Sequence, residues 1–95
     1  MSSYFIYILA SKRNGTLYIG VTDNLLRRIA EHKSNIIPDF TKIHNIHSLV
    51  YYEECPDIIV AISREKQLKH WKRQWKLKLI EESNPHWKDL YDSLQ

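Results

Sequence analysis

Two short apolar runs open the chain, Tyr4-Phe5-Ile6-Tyr7-Ile8-Leu9 and Leu17-Tyr18-Ile19-Gly20-Val21. Both are rich in aromatic and β-branched residues, which suit a pleated, half-buried surface. Between them, Ser11-Lys12-Arg13-Asn14-Gly15 has the composition of a hairpin loop. Directly opposed residues of an antiparallel pair project to one side of the sheet, so an even loop count puts Tyr7 and Tyr18 on the same face. With a four-residue loop the two phenols are opposed and Phe5 lies across from Gly20, whose bare backbone leaves room for the ring.

After Val21 the period changes to that of a helix. Thr22 or Asp23 can cap it, and Leu25, Leu26, Ile29 and Ala30 form its apolar side as far as about Lys33. Arg28 and His32 fall beside Leu25 and Ile29 at the edge of that stripe, whereas Arg27 and Glu31 form an i,i+4 pair in solvent. Ser34 to Asn45, with Pro38, reads as a loop with a short strand start near Phe40. Ser48 to Glu53 is a third strand, and Cys55-Pro56-Asp57 ends it. Asp57 can cap a second helix carrying Ile58, Ala61, Ile62, Glu65, Leu68 and Lys69. Continued straight, that helix would set Lys72 inside the stripe of Ala61, Leu68 and Leu79, so a break between His70 and Gln74 is expected. A further helix with Trp75, Leu79 and Ile80 runs to about Ser83. Asn84-Pro85 stops it and caps a final packing helix with Trp87, Leu90, Tyr91 and Leu94. The order β-β-α-β-α-α-α predicts one α+β domain over residues 1–95, a small three-stranded, mostly antiparallel sheet flanked by helices.

Composition narrows the setting. The only cysteine, Cys55, excludes an intramolecular disulfide and a cysteine-based zinc site, and fits a reducing cytoplasmic location. The opening apolar run is too short for a signal peptide or a membrane span. The net charge of +3 is modest, but from Arg64 to Lys78 seven Lys/Arg residues stand against one acid. Interleaved with Trp71 and Trp75, this run reads as a phosphate-binding stripe or as a solvated helix face over core tryptophans. His44-x-x-His47 lacks the further ligands of a zinc set.

With its motifs placed on elements, the chain resembles a GIY-YIG nuclease domain, of the small stand-alone bacterial kind. The first motif stands as Phe5-Ile6-Tyr7 and the second as Tyr18-Ile19-Gly20. The arginine-bearing helix follows as Thr22 to His32. The likeness continues through Leu49 to Glu53, Arg64 to Lys69, Trp71-Lys72-Arg73 and Asn84 to Leu90, nearly the whole chain. One departure is Phe5, in place of the first motif's glycine.

The resemblance implies a metal-dependent endonuclease hydrolysing DNA phosphodiester bonds, in DNA repair or processing. Its catalytic set would be Tyr7, Tyr18, Arg28, His32 and Glu65. Glu65 would hold Mg²⁺, or Mn²⁺, since a hard carboxylate oxygen suits an ion that keeps most of its water. On pattern alone Glu65 and Lys69 are an ordinary surface pair. One tyrosine would act as general base and the other orient it or the phosphate, the residues leaving open which. Arg28 would clamp the phosphate with its two-pronged guanidinium, with His32 in support. Glu65 lies on a helix that can close over the tyrosine face. Arg27, Lys42, Lys69, Lys72, Arg73 and Lys76 are the candidate nucleic-acid contacts. The expected partner is DNA, with RNA as a second option. Neither membrane nor small-molecule cofactor is expected, and the oligomeric state is open. The rival readings are a non-catalytic nucleic-acid-binding module of the same fold, and a protein-interaction module using Trp87 and the acidic C-terminal segment.

Overall fold

The computed structural model describes residues 3–34 and 45–94. Its elements are β1 (Tyr4–Ala10), β2 (Leu17–Thr22), α1 (Leu25–Lys33), β3 (Ser48–Cys55), α2 (Ile58–His70), α3 (Arg73–Ser83) and a 3₁₀ helix at Leu90–Leu94. The three strands form an antiparallel sheet in the order β2-β1-β3. This is the expected α+β arrangement. Lys42 and the strand start near Phe40 lie outside the described residues.

The hairpin loop is longer than four residues. It spans residues 11–16 and is closed by Ser11 N donating to Thr16 O at 3.0 Å and Gly15 N donating to Lys12 O at 2.9 Å. Asn14 takes a positive φ of 58°, which asparagine tolerates better than most residues. The longer loop moves the register by one pair. Tyr7 now faces Gly20, Leu9 faces Tyr18 and Phe5 faces Thr22. The count stays even, so both tyrosines keep the same face, as diagonal neighbours. The aromatic over the glycine is therefore Tyr7, not Phe5. A Cβ at position 20 would lie 2.5 Å from Tyr7 Oη and 2.6 Å from its Cζ. Phe5 instead packs edge-on against Tyr52, with ring centroids 6.5 Å apart.

β1 divides the core in two, and Ile6 to Ala10 are all fully buried. Its even positions, Ile6, Ile8 and Ala10, join Ile19, Val50 and Cys55 beneath Ala61 and Leu68 of α2, Ile80 of α3 and Trp87. Its odd positions, Tyr7 and Leu9, join Leu25 and Ile29 of α1 with Ile46 and Leu49, flanked by Leu90, Tyr91 and Leu94. Each large apolar side chain buried in either layer contributes roughly 1.5–3 kcal/mol. A shift in the β1–β3 register between Ile8 and Leu9 leaves Val50 as an extra residue, so that Val50 and Tyr51 serve the same layer while Leu49 serves the other. The helix expected to close over the tyrosines, α2, lies on the opposite face, where Ala61 and Leu68 pack with the even side of β1.

The caps refine the boundaries. Thr22 is still paired in β2, so the cap of α1 falls to Asn24, whose Oδ1 accepts from Arg27 N at 3.1 Å. Asp57 caps α2 by accepting from Val60 N at 2.9 Å. The break before α3 falls at Trp71 and Lys72, both extended at ψ 148°, as the stripe argument required.

A regular helix from Pro85 does not form. Asn84 is buried, and its Nδ2 donates to Val50 O at 3.1 Å and Lys88 O at 2.8 Å. The side chain thus pins a turn to β3 instead of capping a helix, and only Leu90–Leu94 winds up, as 3₁₀. Asp89 ties that segment back, accepting from Leu49 N at 3.1 Å and pairing with Lys33 of α1.

In the α2 layer, Arg64 holds Glu53 through Nε at 3.0 Å and Nη2 at 2.8 Å, and Tyr51 donates to the same carboxylate. Burial alone would raise the Glu53 pKa, but these hydrogen bonds and the Arg64 charge hold it below its ordinary value of 4.5. Burial, then Glu53, push the Tyr51 phenol upward. A carboxyl whose pKa is lower in the folded chain stabilises the fold above its unfolded pKa, and that contribution is lost as pH falls through the folded value. We therefore expect wild-type stability to drop below about pH 4.5, and Glu53→Gln to be less stable by about 1–3 kcal/mol at neutral pH with a flatter acid limb. Urea unfolding from pH 7 to pH 3 checks this, and parallel limbs would refute it.

Candidate active site

The tyrosine face is built from three elements. β1 supplies Tyr7, β2 supplies Tyr18, and α1 supplies His32 and, one turn earlier, Arg28. Because Gly20 has no side chain, the Tyr7 ring lies flat across β2 and its hydroxyl reaches His32 Nε2 at 3.1 Å. The three rings form a closed triangle, with centroids 6.3 Å apart for Tyr7–Tyr18, 5.8 Å for Tyr7–His32 and 5.6 Å for Tyr18–His32. Tyr7 and His32 are buried, while Tyr18 is partly exposed. A phenol hydrogen-bonded to an imidazole has an acceptor for its proton or, in the other tautomer, a donor for its oxygen. Either arrangement eases the passage of a proton at that oxygen.

Arg28 sits at the border of this cluster, its side chain about one-third exposed. Its Nε lies 3.3 Å from Glu31 Oε1, yet the N–H is misaligned, and this buried atom has no hydrogen-bond acceptor. Glu31 supplies charge nearby but leaves a guanidinium N–H unmatched. Arg27, by contrast, is spread over Asp23 at 3.6 Å and Glu31 at 3.9 Å in solvent.

Glu65 lies on the sheet-facing stripe of α2 between Ala61 and Leu68, its side chain 20% exposed and 3.5 Å from Lys69. It stands in the layer opposite the rings, and the structure does not bring it together with Tyr7, Tyr18, Arg28 and His32. Lys69 and Lys72 are exposed, and Lys76 Nζ donates to Lys69 O at 3.4 Å. Arg73 is committed elsewhere: its Nη2 donates to the hairpin-loop carbonyls of Asn14 at 2.7 Å and Gly15 at 2.6 Å. It positions the hairpin. The tryptophans do not all belong to the core. Trp87 is buried and donates to Glu81 at 2.8 Å, but Trp75 is 49% exposed. The break at Trp71–Lys72 resets the phase of α3, and that break was the signal that Trp75 need not share the stripe of α2.

The GIY-YIG catalytic domain family model matches residues 3–78. The chain belongs to this nuclease family. Among its relatives, a UPF0213 protein of Staphylococcus haemolyticus is 39% identical and one of Staphylococcus saprophyticus 38% identical, each over 82 residues that make up 86% of this chain and 99% of theirs. The solution NMR structure of the UPF0213 protein BH0048 from Bacillus halodurans shares the fold, with TM-score 0.57, 26% identity and 92% of both chains covered.

Nucleases of this family are generally dependent on divalent metal ions, and DNA is the substrate the domain implies. Among the described residues no three His, Cys, Asp or Glu side chains gather into a metal cage. Glu65 is a single carboxylate, partly open to solvent. No helix among the described residues is long and apolar enough to cross a membrane.

Proposed function

We propose that this protein is a DNA endonuclease whose chemistry is carried by Tyr7, Tyr18, Arg28, His32 and Glu65, with Mg²⁺ or Mn²⁺ held at Glu65, acting in DNA repair or processing. The observation that carries the reading is the buried Tyr7–His32 hydrogen bond beside Tyr18, with the unmatched Arg28 N–H at its border.

Hydrolysis needs a proton taken from the attacking water, charge neutralised on the phosphate, and the substrate held in line. The two phenols share the first and last tasks. Tyr7 is held by His32, and Tyr18 presents the more accessible ring. A phenol near pKa 10 is a weak base at neutral pH, so the hydrogen-bonded imidazole matters to its competence. Arg28 binds the non-bridging phosphate oxygens and opposes the charge that grows on them. A bound divalent ion supplies further charge neutralisation at the phosphate and a more acidic water. Lys69, Lys72 and Lys76 add sequence-independent, salt-sensitive affinity.

A plasmid-nicking assay with and without Mg²⁺ tests the reading, on wild type and Glu65→Ala. Wild type is expected to nick only with the ion, and Glu65→Ala to lose about 10²-fold or more. Equal nicking by both proteins would refute it. Salt-dependent binding with no cleavage under any divalent ion would make the protein the non-catalytic nucleic-acid-binding module instead.

A further inference from the structure

The exposed face of α3 combines positive charge, which the proposed function uses only for phosphate affinity, with an aromatic surface that it does not use. Trp75 is 49% exposed, an unusual state for the largest apolar side chain of a small domain. It is not buried by a helix partner. Trp71 meets it edge to face, with centroids 6.1 Å apart and planes at 84°, and Lys72 Nζ stands 5.8 Å from its ring centroid. Trp71 is itself covered by Arg64, 5.2 Å from the ring. The two tryptophans, Lys78, Leu79 and Glu82 line one cleft. A second cleft, lined by Asn14 to Leu17 with Arg73 and Lys76, adjoins α3 on its hairpin side. Lys72 and Lys78 thus flank Trp75, Lys76 lines the adjoining cleft, and Glu82 is the one acid lining the tryptophan cleft.

We infer that Trp75 is a stacking platform for an unpaired base, and that α3 binds a single-stranded stretch of nucleic acid through this ring and the lysines around it. Two observations carry this. The charge is complementary to a phosphodiester chain, with Lys72 and Lys78 at the ring and Lys76 in the adjoining cleft. The ring itself then decides between duplex and single strand. A duplex offers phosphates to the lysines but hides its base faces, which would leave Trp75 without a partner. An unpaired base has a free π-face, and stacking on an exposed aromatic among lysines is how proteins hold single strands without reading their sequence. The second cleft leads from α3 toward the hairpin that bears Tyr18. Single-stranded DNA held at α3 would therefore reach the hairpin loop of the sheet whose opposite face carries the proposed nuclease site, and the preferred substrates would carry an unpaired segment. That last step rests on the proposed function; the binding itself does not.

The test is binding of the full chain to a fluorescein-labelled oligothymidine and to a duplex of the same length, in EDTA so that nothing is cut, read by anisotropy and tryptophan quenching. Trp75→Ala is expected to weaken oligothymidine binding about tenfold or more, to leave duplex binding within about twofold, and to remove most of the quenching. Trp75→Phe should restore most of the affinity. Trp75 is on the surface, so the variants keep the far-UV circular dichroism of the parent. Unchanged oligothymidine affinity in Trp75→Ala would overturn the inference. So would equal losses on single strand and duplex, or no binding of oligothymidine at all. A protein that binds oligothymidine through Trp75 and fails to nick DNA would refute only the nuclease reading. One that nicks without Trp75-dependent binding would refute only this inference.

Discussion

Gly20→Ala is expected to lower nicking activity by about 10²-fold while leaving a folded protein less stable by about 1–3 kcal/mol. The added methyl would stand 2.5 Å from Tyr7 Oη, 2.6 Å from Cζ and 2.9 Å from Cε2, distances that no Cβ keeps. An exposed side chain would swing clear at little cost. Tyr7 has no such freedom, since its ring is fully buried and its hydroxyl is bonded to His32. Either the ring leaves the imidazole or β2 bows away, and both displace Tyr18. Adding Tyr7→Phe to Gly20→Ala should recover part of the stability, since it removes the closest contact, and none of the activity. Nicking assays and urea unfolding of the two variants check this. Wild-type activity in Gly20→Ala would refute the geometry.

Arg28→Ala should show the reverse balance. Nicking is expected to fall about 10²–10³-fold, the size of effect seen when one donor to a transition-state anion is removed. Stability should change by less than about 1 kcal/mol, because the partly exposed pairing with Glu31 is misaligned and contributes little. Arg28→Lys should rescue weakly, since an ammonium matches one phosphate oxygen where the guanidinium fork matches two. The measurement pairs single-turnover nicking with thermal unfolding. Activity lost only in proportion to stability would make Arg28 a structural residue.

Much of this architecture was legible in the chain. Period two followed by period 3.6, the Asp57 cap and the misfit of Lys72 gave the element order and even the helix break, because each is a local consequence of side-chain direction. The shared face of Tyr7 and Tyr18 was also readable, since only loop parity was needed. The pairing itself was not. Whether the loop holds four or six residues depends on the Ser11–Thr16 closure and on Asn14 adopting positive φ, and composition does not dictate either.

The layer of α2 escaped for another reason. Its stripe fixes which side of the helix is buried, but not which face of the sheet receives it. Asn84 misled because asparagine serves equally as a helix cap and as a bridge to a buried carbonyl, and Val50 O is brought within reach only by the fold. Of the candidate site, the residue types were visible and their partners were not. The Tyr7–His32 bond and the engagement of Arg73 with the hairpin are contacts between segments 25 and about 60 residues apart.

The burial of β1 on both sides has a consequence for how this protein can vary. Most strands of small sheets keep a wet face on which neutral changes accumulate. From Ile6 to Ala10 this strand has none. A change at an even position disturbs the layer that carries the lysines and tryptophans, and one at an odd position disturbs the layer that carries the tyrosines and histidine. A slip of one residue would exchange the two sets outright. From Ile6 to Ala10 the strand leaves almost no silent positions, so a substitution there costs packing in one layer or the other.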